Sequence, residues 1–191
     1  MFCYTERMKK HTPSLIIIGG FAGAGKTTIA GKLAKDYNFP IFSSDSINDA
    51  LRETFDSSFH EMSPHAYEIL WHLVRQQLNY GITVVLDIHM ARPEIWDNLD
   101  LLMIQMPEIE LVPIILEAPL EVHKKRIEER GRTNKEHLNL GGDKLDDILH
   151  KYEYIKNLKR DDLIRIDASL NAEHVYSSVI SALEQRIRIN N

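Results

Sequence analysis

The stretch Gly20-Phe21-Ala22-Gly23-Ala24-Gly25-Lys26-Thr27-Thr28 constrains this chain more than any other part of it. It fits G-x-x-x-x-G-K-[ST] at every fixed position. The apolar run Leu15-Ile16-Ile17-Ile18 comes before it, and a segment of helical periodicity over residues 26–37 comes after. Glycines at these places let the backbone curl so that successive N–H groups face inward as an anion nest. The helix that follows aims its positive end at the same point. Lys26 then reaches the β- and γ-phosphates of a nucleoside triphosphate, and the Thr27 hydroxyl is placed to ligate Mg²⁺.

The rest of the chain alternates apolar β-rich runs with helix-period segments, which argues for a parallel sheet with helices on both faces. Strands are expected at 15–18, 40–43, 82–88, 110–116 and 163–166. Helices are expected at 26–37, from about Asp45, behind Ser63-Pro64, at 92–103, from Pro119 to a stop at Gly131, from Asp143 to about 159, and at 172–187. Ser63-Pro64 reads as an N-cap followed by proline at the first helical position. Gly81 is placed to end the helix behind it. The polar, glycine-containing stretch 133–142 reads as a loop. The fold expected is therefore a three-layer α/β/α domain around a five-stranded, mostly parallel sheet. Ligands of such sheets bind beyond the carboxyl ends of the strands.

Composition narrows the classes. The chain has 191 residues, enough for one domain with a full core. Residues 1–14 read as a loose extension and 15–191 as the domain. The single cysteine, Cys3, excludes an internal disulfide and fits a reducing, cytoplasmic setting. No apolar run approaches the ~20 residues that span a bilayer, so no membrane partner is expected. A formal net charge of −5 argues against non-specific nucleic-acid binding. The nearest approach to a guanine-reading Asn-Lys-x-Asp element is Asn134-Lys135-Glu136-His137, which lacks the Asp. ATP with Mg²⁺ is the expected nucleotide. The histidines are scattered, and no pair has metal-ligand spacing. Trp71 and Trp96 read as core or pocket wall.

Three features together resemble the small P-loop kinases, in the branch containing chloramphenicol phosphotransferase, the kinase domain of polynucleotide kinase, and zeta-toxin-like kinases. They are the loop 20–28, Ser43-Ser44-Asp45-Ser46-Ile47 after the second strand, and the arginine-rich helix end 126–132. The resemblance spans about residues 15–187. It implies that an Asp after the second strand takes the proton of an acceptor hydroxyl, by position Asp45. A carboxylate there also suits a plain helix N-terminus. The branch carries a helical lid, here about 119–150, whose arginines close on the phosphates. By position these are Arg126 and Arg130, which share one helix face, with Arg132 behind them at the nucleotide. Asp87, ending the third strand, is placed to hold metal-bound water or to contact substrate. His89 and Arg92 follow it toward the acceptor side. The loop 167–170, after the last strand, runs beside the adenine in similar kinases.

The expectation is an ATP-dependent kinase acting on a hydroxyl of a small molecule, as monomer or homodimer. Lys26, Asp45, Arg126 and Arg130 would be catalytic. Gly20 to Thr28 and Arg132 would hold nucleotide, Thr27 and Asp87 metal, and Asp45, Asp87 and Arg92 the acceptor. A polynucleotide 5′-hydroxyl kinase shares every motif, and a toxin kinase acting on a nucleotide sugar differs only in acceptor. A regulatory ATPase without acceptor requires Asp45 and the lid arginines to be incidental.

Overall fold

The structure, a computed structural model, describes residues 12–129 and 143–187. Arg130, Gly131, Arg132 and the stretch 133–142 lie outside the described residues, as do residues 1–11 of the proposed extension.

β1 (Ser14–Gly20) is buried along its whole length. An unbroken apolar strand of this kind is stable only inside a sheet covered on both faces. β1 accordingly pairs in parallel with β3 (Val84–Asp87) on one side and β4 (Glu110–Glu117) on the other. β2 (Ile41–Ser43) and β5 (Ile164–Asp167) complete the order β2-β3-β1-β4-β5. Every pairing is parallel. Because successive side chains point to opposite faces, Leu15 and Ile17 feed one core while Ile16 and Ile18 feed the other. The first core takes α3 (Phe59–Asn79) and α4 (Pro93–Gln105), with Trp71 and Trp96 at 4% and 5% exposure. The second takes α1 (Lys26–Tyr37) and α7 (Ala172–Arg186). Among the described residues no helix is long and apolar enough to cross a membrane.

The element bounds follow the sequence signals closely, with one substantial correction. α1 and the start of α7 fall where periodicity placed them, and β1 begins one residue earlier, at Ser14. α3 does not begin at Ser63-Pro64. It begins at Phe59, and Pro64 lies inside it. The stronger signal is Ser58-Phe59-His60-Glu61, a reciprocal capping box in which the Ser58 side chain accepts from Glu61 N–H and Glu61 accepts from Ser58 N–H. Proline near a helix start removes only one backbone bond, so the box wins. Residues 59–64, which a start at Ser63-Pro64 would leave largely outside the helix, are therefore the first turns of α3. At the other end the Gly81 stop holds. Gly81 N–H donates to Leu78 and Ile82 N–H to Gln77, the two bonds of a Schellman closure.

Replacing Ser58 with Ala should lower stability by about 1 kcal/mol through loss of the cap. Chemical denaturation would show this as a lower midpoint with an unchanged slope, and an unchanged midpoint would contradict the assigned helix start.

Candidate functional site

Strand register brings the chemistry together. Ile18 of β1 and Ser43 of β2 both lie beside Asp87 of β3, and Gly20 lies beside Leu116 of β4. The phosphate loop therefore leaves the sheet at the level where Asp87 ends its strand. Gly20 has φ +141°, and a Cβ on it would meet the Leu116 carbonyl at 2.6 Å. Only glycine lets the loop start this close to β4. At Gly23 a Cβ would meet the His123 carbonyl at 3.0 Å and Ile127 at 3.2 Å. These belong to α5 (Leu120–Glu129), so that helix rests directly on the loop.

Within the loop, Lys26 Nζ donates to the Phe21 carbonyl at 3.3 Å, which lays the ammonium across the loop. Thr27 Oγ1 donates to Asp87 Oδ2 at 2.6 Å. The hydroxyl and carboxylate assigned to metal are thus already side by side, with Asp87 buried and Thr27 exposed. Among the described residues no three acidic, histidine or cysteine side chains form a metal cage. A neighbouring hydroxyl and carboxylate suit Mg²⁺, which keeps several waters and takes its remaining ligands from substrate phosphates.

Asp45 is the second residue of α2 (Ser44–Phe55) and is exposed. It does not cap that helix. Ser43 is the N-cap and accepts from Ser46 N–H at 3.4 Å. Asp45 instead sits in the first turn of α2, where a carboxylate suits the helix N-terminus, just beyond the carboxyl end of β2. Tyr67 of α3 reaches the same corner. Burial raises its phenol above the ordinary range, and the Asp45 charge adds to this, against a hydrogen bond with the Ser44 side chain and the charge of Arg92. The Arg92 guanidinium lies 5.8 Å from the Tyr67 ring centroid. Asp45, Ser44 and Arg92 therefore all neighbour Tyr67.

The other side of the loop is aromatic. The Phe21 ring is met edge-on by His89 at 6.0 Å, His123 at 5.3 Å and Tyr152 at 5.5 Å. Tyr152 lies on α6 (Asp143–Asn157) and donates to the Ala118 carbonyl. Phe21, Ala118, His123, Tyr152, Lys156 and Arg165 are among the residues lining a cavity of about 470 Å³ between α5, α6 and the ends of β4 and β5. Both histidines are held neutral. Burial, then the charges of Lys26, Lys151 and Arg92, brings His89 down to about 3. Burial, then the charges of Arg126 and Lys26, brings His123 down to about 4, against opposing hydrogen bonds to the Ala22 and Ala118 backbone. Neither ring supplies positive charge to a phosphate at neutral pH.

Arg126, expected to act on the phosphates, contacts the loop after β5 in this structure. Its guanidinium donates to the Ser169 and Leu170 carbonyls at 3.3 and 3.1 Å, tying α5 to the loop after β5. Arg130 and Arg132 lie outside the described residues. Sequence reasoning passed over His123, Tyr67 and Tyr152. Tyr67 and Tyr152 lie on helices outside the motifs. His123 had one signal, four residues ahead of Ile127 on the helix that covers the loop.

The His123 shift has a sign. Above its free value of ~6.5 both folded and unfolded chains are neutral there. Between that value and about 4 only the unfolded chain takes up the proton, so stability falls as pH drops through this window. The urea midpoint should be lower at pH 5 than at pH 7, and His123→Phe should shrink the difference. An undiminished difference in the variant would show that His123 is not held neutral.

Residues 15–155 match the AAA domain family, whereas comparison with curated proteins finds no match. Among solved structures, a protein of Chloroflexus aurantiacus J-10-fl is similar with TM-score 0.71 and 18% identity, over 93% of this chain and 100% of that one. A sugar kinase of Janibacter sp. HTCC2649 gives TM-score 0.62 and 17% identity, over 94% and 99% of the two chains. A deoxyadenosine kinase of M. mycoides gives 0.57 and 18%, over 90% and 99%. At such identities the likeness is one of fold, and the fold is that of small P-loop kinases. Since the family match runs from β1 through the phosphate loop and nearly to the end of α6, the chain belongs to this AAA domain family.

Proposed function

We propose that this protein is an ATP-dependent kinase that moves the terminal phosphoryl group to a hydroxyl of a small molecule. The observation that carries the reading is the Thr27–Asp87 hydrogen bond of 2.6 Å, formed where β2 delivers Asp45 beside the end of β3. It joins the nucleotide loop to the strand end that faces an acceptor.

In this reading the loop backbone and Lys26 hold the β- and γ-phosphates and neutralise charge as it spreads over the moving group. Thr27 and Asp87 would hold Mg²⁺, which when bound draws charge off the phosphate oxygens. The acceptor hydroxyl lies against Asp45, which orients it and accepts its proton. The new bond joins the acceptor oxygen to the γ-phosphorus, the bond from that phosphorus to the β–γ bridging oxygen breaks, and ADP leaves with that oxygen. Arg126, with its hold on the Ser169 and Leu170 carbonyls, shapes the edge of the nucleotide site. In this reading Arg126 and Arg130 are catalytic and Arg132 holds nucleotide.

Asp45→Asn should keep ATP affinity and lose transfer by roughly a hundredfold or more, the usual scale for removing a positioned base. Lys26→Ala should weaken both. Transfer of γ-label from ATP into a fractionated metabolite extract measures this, and wild-type rates in Asp45→Asn would refute the base. A second check is metal dependence: Asp87→Asn should raise the Mg²⁺ concentration needed for half-maximal rate, and an unchanged requirement would remove Asp87 from the metal. Label entering only a single-stranded oligonucleotide would favour a polynucleotide kinase. Bound ATP with no labelled acceptor would favour a regulatory ATPase.

A further inference from the structure

We infer that the hydroxyl acceptor carries an acidic group, a carboxylate or a phosphate, and that Arg92 binds this group across the ring of Tyr67. The inference rests on the kinase reading of the same site and names the class of acceptor it takes. Its basis is the corner formed by α2, α3 and the connection between β3 and α4. Tyr67 reaches up from α3, with its hydroxyl on the Ser44 side chain and within the field of Asp45. The Arg92 guanidinium lies over the same ring, 5.8 Å from its centroid. The Asp45 carboxylate and the Arg92 guanidinium, both exposed, thus lie near one aromatic ring.

Charge decides what fits between them. Among the described residues Arg92 makes no ion pair, and its guanidinium lies over the Tyr67 ring. Lys26 and Lys151 lie within electrostatic range of the same neighbourhood, since both act with Arg92 on the His89 ring. Lys26 is committed to the nucleotide and Asp87 is hydrogen-bonded to Thr27. Asp45 is then the carboxylate that shares the Tyr67 corner with Arg92. A neutral acceptor would give the guanidinium nothing to bind. An acidic one would meet repulsion from Asp45, and Arg92 relieves it at a distance that leaves the hydroxyl free to approach the carboxylate. The planar fork of arginine matches carboxylate and phosphate oxygens in pairs, and its stacking on Tyr67 holds the fork in place.

The experiment compares acceptors that differ only in the acidic group: glycerate with glycerol, gluconate with glucose, and adenylate with adenosine. Steady-state transfer from ATP is measured for each pair with wild type, Arg92→Gln and Arg92→Lys. In at least one pair the acidic member should have the higher kcat/KM by roughly tenfold to a hundredfold, the scale of a charge-assisted hydrogen bond. Arg92→Gln should bring that ratio close to one, mainly through KM for the acidic member, and Arg92→Lys should keep part of it. Equal or better use of neutral members by wild type would overturn the inference and leave the kinase reading intact. A ratio unchanged in Arg92→Gln would overturn it as well. Transfer to no member of any pair, with ATP still bound, counts against both readings.

Discussion

A strand with apolar side chains at every central position and no polar face can be stable only if its backbone groups are paired on both edges and its two faces are covered. β1 is such a strand, and its burial organises the molecule. Pairing with β3 and β4 fixes which strand ends border the phosphate loop. Covering both faces fixes α1 and α7 on one side and α3 and α4 on the other. The position of Asp87 next to Thr27 is a consequence of register rather than of any local sequence feature, because Ile18 and Asp87 are partners across the sheet. The closeness of Gly20 to β4 has the same origin. There the loop turns so tightly against the Leu116 carbonyl that no side chain fits.

Around this frame the site is divided by charge. On one side Asp45, Tyr67 and Arg92 lie together, and the charges of Asp45 and Arg92 stay exposed. On the other side of the loop Phe21, His89, His123 and Tyr152 pack edge to edge, with both imidazoles held neutral by burial and by cations nearby. Neutral rings let an aromatic wall stand close to Lys26 without adding to the repulsion among the cations. The wall also gives α5 and α6 a fixed seat against the loop, through Ile127 at Gly23 and through the Tyr152 hydroxyl on Ala118. The nucleotide loop therefore has a rigid backing and an open front.

Much of this was legible in the chain. The loop motif and the helix behind it were, because a spacing rule and a 3.6-residue period are local properties. The strand order and the partners of Asp87 were not, because pairing is a long-range choice that a single sequence does not display. The start of α3 shows two local signals in competition. A proline in first position suggested a start at Ser63, but the reciprocal Ser58–Glu61 cap satisfies two backbone donors and tolerates Pro64 a turn and a half later. At the site, Asp45 was identified by position, but its freedom from capping duty appeared only once Ser43 was seen to hold the Ser46 N–H. Arg126 shows the opposite case. Helix periodicity placed it with Arg130 on one face, while its hydrogen bonds to Ser169 and Leu170 depend on a loop more than forty residues away.

The two edges of the sheet carry a consequence for behaviour in concentrated solution. A parallel sheet that is not closed into a barrel always leaves two outer strands whose free backbone groups are templates for pairing with another chain. Here those strands are β2, of three residues, and β5, of four. β2 runs straight into α2, and β5 carries the exposed Arg165, paired with Glu117 of its neighbour. A second chain would find only three or four peptide units to extend at either edge, fewer than the usual five or six of a strand. The long apolar strands lie in the middle of the sheet, and aggregation through them would first require the outer strands to detach.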